Sequence, residues 1–133
     1  MAKLQDSVNV YHNVALQATH SERDARTLHQ LLGITQAEVS TPAGAVLRKR
    51  SRTWSLDSRN FTESPRLSVH IEIVLKVVES VRPRFEASML IGWEYILLVD
   101  WIAEGLNAEV LDRRLIAGMA KLEVPVQFRF HVP

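Results

Sequence analysis

Five histidines, 15 acidic residues and no cysteine set the limits on the chemistry this chain can carry. His70-Ile71-Glu72 has the form of the first half of a zinc deaminase signature. That chemistry needs cysteine ligands further along the chain, and there are none. His12, His20, His29 and His131 show no metal-ligand spacing, because no two histidines stand four apart on a helix. His12 falls on the apolar face of an alternating segment, where a hydrogen-bonded core or edge histidine is expected. Asp100 interrupts an apolar run and shares a strand face with Leu98 and Ile102. Burial would raise its pKa and suit it to general-base work, whereas a nearby arginine would make it a structural ion pair. Glu94 shares that face, but roughly 20 Å away along an extended strand, too far for a working carboxylate pair.

The strongest signal outside the core pattern is basic. Arg48, Lys49, Arg50 and Arg52 lie together, followed by Trp54. Such a cluster can grip phosphates with the indole stacking on a base, or anchor an acidic protein surface. It can also be a solvated loop beside a core tryptophan. The five glycines are scattered, with no phosphate-cradling loop and no Gly-x-Ser-x-Gly elbow. No cofactor is expected.

The elements that must carry these residues are legible from periodicity. Val8, Val10, Val14, Leu16 and Ala18 alternate with polar residues, the mark of a half-buried strand. Ser21 and Asp24 suggest a helix start, Ala25, Leu28 and Leu32 its buried side, and Gly33 its stop. Val39 fits a short strand, Pro42 and Gly44 a turn, and Thr53-Trp54-Ser55-Leu56 another strand. Ser64-Pro65 reads as a cap followed by a first-turn proline. Leu67, Ile71, Val74, Val78 and Val81 then form a helical stripe, which Pro83 ends or kinks. Residues 92–102 are apolar on both faces, as a central strand would be. Asn107 is placed to cap a further helix with Leu111, Leu115, Gly118, Met119 and Leu122 inward. Val124, Val126, Phe128, Phe130 and Val132 alternate with Gln127, Arg129 and His131 in a last strand with one polar face, where Pro125, lacking an N–H, suggests an edge or the strand's first residues. The order β-α-β-β-α-β-α-β predicts an α+β fold. A ferredoxin-like split βαβ core would carry one extra helix and strand, with helices on one face of a mostly antiparallel sheet.

The 133 residues, 47% of them hydrophobic and 23% charged, suit one domain spanning 1–133 with a core that needs neither disulfide nor metal. A net charge of +1 gives no chain-wide field for nucleic acid or membrane. No apolar run approaches a bilayer span and the N-terminus lacks a secretory pattern, so a cytoplasmic location is expected.

The alternating first strand, the short helix ending Leu31-Leu32-Gly33-Ile34, the basic segment entering Thr53-Trp54-Ser55-Leu56, and the helix ending near Pro83 before a strand, a helix and an aromatic-rich terminal strand together resemble the bacterial domain of unknown function family 4279. The similarity spans nearly the whole chain and departs at 35–47 and at Trp93–Tyr95. It implies a small intracellular bacterial α+β domain and supplies no functional residue. A non-catalytic, protein-binding role is therefore expected, of the kind played by an immunity protein that neutralises a toxin. Arg48, Lys49, Arg50, Arg52 and Trp54 would form the contact. The alternatives are a small RNA- or DNA-binding domain using the same basic stretch, and an enzyme with Asp100 as general base.

Overall fold

The computed structural model describes residues 11–40, 53–102 and 110–131. Strand β1 (Tyr11–Thr19) is followed by helix α1 (Ala25–Leu32), β2 (Glu38–Ser40) and β3 (Thr53–Asp57). A short 3-10 turn (Ser58–Asn60) leads to α2 (Leu67–Ser80), α3 (Arg82–Leu90), β4 (Glu94–Ile102), α4 (Arg113–Lys121) and β5 (Val126–His131).

The five strands form one sheet in the order β2-β3-β1-β4-β5. Each of the first four in this order runs antiparallel to its neighbour, and β5 joins β4 in parallel. Because β3 lies between β1 and β2, the antiparallel part is a split βαβ arrangement of the ferredoxin-like kind, with α4 and β5 added beyond it. The α+β reading therefore holds, and α3 is an element the periodicity missed.

The two-residue alternation of the strands builds the core. Val14, Leu16 and Ala18 of β1, Trp54 and Leu56 of β3, and Tyr95, Leu97 and Val99 of β4 are buried on one face. Leu28 and Leu32 of α1, Leu67, Ile71, Val74 and Val78 of α2, Phe85 of α3, and Leu115 and Met119 of α4 complete the same cluster. The opposite face of the middle strands is also closed at Ala15, Ser55, Leu98 and Asp100.

Helix ends depart in detail from the sequence reading. Asp24 caps α1, its side chain accepting from Arg26 N, while Gly33 at φ 69° takes the left-handed conformation at the other end. Arg84 donates to the Leu32 carbonyl at 3.2 Å, which satisfies one more orphan acceptor there. Helix α2 begins at Leu67, not at Pro65. Ser64 Oγ accepts from Arg66 N, so it shapes the preceding turn instead of capping a helix that starts at proline. Pro83 does not simply terminate α2. It sits at the start of α3, where its missing N–H has no intrahelical role. Asp112 caps α4 by accepting from Leu115 N, whereas Asn107 lies outside the described residues.

Candidate functional site

The turn after β3 carries Ser58 into the core. The β1–β3 ladder runs from Ala18↔Trp54 to Ala15↔Asp57, and there the Ser58 side chain takes over, accepting from Val14 N at 2.9 Å. Ser58 Oγ also lies 2.6 Å from His70 Nδ1. His70 Nε2 lies 2.8 Å from the Ser64 carbonyl, an acceptor only, so that nitrogen carries the proton. Nδ1 of a neutral ring is then the acceptor, and the Ser58 hydroxyl donates to it. Beside this pair, His12 Nε2 donates to the Pro65 carbonyl at 3.0 Å. The His12 ring stands edge-on to both His70 and Trp101. Two strand-and-turn elements and the start of α2 are tied together by three side chains.

A serine hydroxyl within hydrogen-bond reach of an imidazole is also the arrangement of a nucleophile and its base. Here Ser58 is fully buried and His70 is 1% exposed, so the hydroxyl faces packed protein. The far side of the imidazole is held by a main-chain carbonyl. The geometry supports a structural lock. Sequence reading singled out His70 only for its Glu72 neighbour and passed over Ser58. The usable signal was a histidine three residues after Leu67, on the buried stripe of α2. His12 is, as expected, a hydrogen-bonded core histidine. Among the described residues no group of three or more histidine, aspartate or glutamate side chains could hold a metal ion.

On the opposite sheet face, Asp57 accepts from Asn13 Nδ2 at 3.2 Å and from Ser55 Oγ at 3.1 Å. One register step along, Asn13 pairs with Asp100, and Asp100 with Arg129. Arg129 Nε and Nη2 donate to the two Asp100 oxygens at 2.7 and 2.8 Å. The hydrogen bond to Asp100 is the main cause that raises the guanidinium pKa above its ordinary value. Both carboxylate oxygens are thus engaged in a planar, charge-assisted fork. This is the structural alternative weighed for Asp100, and the geometry favours it over proton abstraction.

Of the five proposed partner-binding residues, only Trp54 lies among the described residues. Trp54 is fully buried and stands edge-on to Tyr95, with ring centroids 6.3 Å apart. An indole enclosed on all sides cannot stack on a base or anchor a partner, and its place in that group is corrected accordingly. Arg48, Lys49, Arg50 and Arg52 lie outside the described residues. Their flanks are described: Ser40 of β2 pairs with Thr53 of β3. The basic segment thus belongs to the connection of a hairpin at one edge of the sheet.

Tyr95 is the clearest perturbed titrating group. Burial pushes its phenol from 10.0 to about 12, and the Ser88 hydrogen bond offsets part of that rise. Ser88 Oγ lies 2.6 Å from the Phe85 carbonyl and 2.7 Å from the Tyr95 hydroxyl, and its proton can turn to the phenolate when Tyr95 ionises. A raised folded-state pKa favours the protonated phenol in the fold. The resulting stability, about 2–3 kcal/mol, is complete below pH 10 and is lost as pH rises toward 12. Phenolate absorbance should show Tyr95 ionising near 12, and Tyr95→Phe should flatten the fall in stability above pH 10. An ordinary titration near 10 in the folded protein would contradict this placement.

At the other edge, β5 shows an apolar side to solvent. Val126, Phe128 and Phe130 are 37%, 46% and 66% exposed. These three residues pair with Leu97, Val99 and Trp101 of β4, but the strand lies at the rim of the described sheet. Phe130 keeps only partial cover, tilted against Trp101 with centroids 5.4 Å apart. Among the described residues no helix is long and apolar enough to cross a membrane. No protein-family model, no curated protein and no solved structure matches the chain.

Proposed function

We propose that this chain is a non-catalytic protein-binding protein of the cytoplasm, of the immunity type, which neutralises a toxin by occupying its surface. The observation that carries this reading is the Ser40↔Thr53 pair. It closes an edge hairpin whose connection, 41–52, holds Arg48, Lys49, Arg50 and Arg52. Four cations within five positions suit an acidic or mixed protein surface. Charge complementarity of this kind raises the encounter rate and selects the partner. The polar groups inside the domain are spent on one another: Ser58 on His70, and Asp100 on Arg129.

The same cations favour a second reading, in which the segment binds RNA or DNA. Phosphate binding releases counterions and weakens steeply with salt. One comparison separates the two. Wild type and a variant with Arg48, Lys49, Arg50 and Arg52 all replaced by alanine are used as baits in extract of the source organism, with and without nuclease treatment. A discrete protein retained by wild type and lost from the variant, with unchanged circular dichroism, is the expected result. No protein retained, or one retained equally by both baits, removes the proposal. Retention that disappears on nuclease treatment transfers it to nucleic acid.

A further inference from the structure

We infer that the outer edge of β5, which no other strand pairs among the described residues, is a self-association site, where a second copy of this chain adds its own β5 in antiparallel register to make a continuous ten-stranded sheet. This edge lies across the sheet from the basic hairpin, and the inference does not depend on the reading above.

The main chain points to it first. Leu97 N donates to the Pro125 carbonyl at 2.9 Å. In a parallel ladder, alternate residues turn both their N–H and C=O to the same neighbour. Pro125, Gln127 and Arg129 therefore face β4, and Val126, Phe128 and Phe130 turn their N–H and C=O groups outward. The proline's missing N–H is on the β4 side and does not blunt the open edge. Natural edge strands are usually protected by an outward lysine, a proline or a bulge. Here the strand's one arginine is drawn back across the sheet by its two bonds to Asp100.

Second, the edge complements itself. Let two β5 strands pair antiparallel about a two-fold axis at Phe128. Phe128 then lies opposite its own copy, and Val126 opposite the other copy's Phe130. These are the outward-facing residues, so all three pairs are hydrogen-bonded pairs. Their side chains share the face on which all three are now exposed, and they join into one apolar stripe. On the reverse face Gln127 meets the other copy's Arg129, a donor–acceptor match without like-charge repulsion. A one-residue shift would leave the outward groups out of step. A symmetric match of main chain, apolar stripe and charge is what an isologous two-fold interface requires.

One paired strand is a small interface, below the roughly 1,200 Å² total typical of tight complexes, so a weak, concentration-dependent dimer is expected. Sedimentation velocity of the full chain should show mass rising from 15.1 kDa toward twice that value as concentration increases. Phe130→Lys, which places a cation at the most exposed position of the stripe, should weaken association about tenfold or more. Gln127→Glu sets a carboxylate opposite the other copy's Arg129 and should tighten it several-fold, about the effect of a favourable cross-strand charge pair. Gln127 is exposed, so this second variant keeps the test intact if Phe130→Lys disturbs folding. A wild type that stays at 15.1 kDa at all concentrations overturns the inference. A dimer indifferent to both substitutions overturns it too.

Discussion

Replacing Ser58 with alanine should lower the unfolding free energy by about 2–5 kcal/mol, read from the midpoint shift in urea. One hydroxyl currently serves two buried groups, the Val14 N–H and His70 Nδ1. Alanine fills nearly the same space and satisfies neither. Each orphaned buried polar group costs about 1–3 kcal/mol, which far exceeds the small loss in packing. The partner substitution makes the argument specific. His70→Leu in the Ser58→Ala background removes one orphan and replaces the ring with an apolar side chain. The double variant should therefore recover part of the loss, a coupling visible in a double-mutant cycle. If Ser58→Ala alone stays within about 0.5 kcal/mol of wild type, the lock is not structural.

Trp54→Ala should be as damaging, at about 3–5 kcal/mol. The indole is wholly enclosed, with Leu56 two positions on pointing into the same core. Its Nε1 has no hydrogen-bond partner among the described residues, so its contribution is packing. Removing it opens a large cavity beneath α1 and beside Tyr95. The four-alanine change at Arg48, Lys49, Arg50 and Arg52 should have the opposite profile, with little change in stability and loss of the partner. A Trp54→Ala protein that unfolds like wild type but no longer binds would return Trp54 to the partner surface.

The strands were readable where burial is one- or two-sided along many residues. Val14, Leu16 and Ala18 declare β1 by alternation, and Trp93 to Ile102 declares β4 by being apolar on both faces. Gly33 was readable because only a left-handed residue ends α1 in that way. Helix α3 was not, since only Phe85 and Ser88 of its nine residues are buried and no stripe forms. Pro83 was read as an end when it marks a beginning, an ambiguity that a proline between two helices always leaves. The exposure of Phe128 and Phe130 depends on β5 being outermost. Pro125 was compatible with an edge or with the strand's first residues, and alternation alone does not say whether a strand is outermost.

The polar pairs were the least legible. Asp100 finds Arg129 only because β5 runs parallel to β4, a pairing set by the α4 crossover and not by local pattern. Ser58 and His70 meet because a 3-10 turn folds back onto the start of α2. Histidine and aspartate at apolar positions signalled that something held them. Nothing in the spacing said what.

Hydrogen–deuterium exchange of the captured complex, joined to the intact mass of the released partner, tests the central claim most directly. Recognition at the outer surface predicts new protection confined to 48–53 and a partner whose mass is unchanged. New protection around Ser58 and His70, or a covalent change in the partner that Ser58→Ala or Asp100→Asn abolishes, would contradict it.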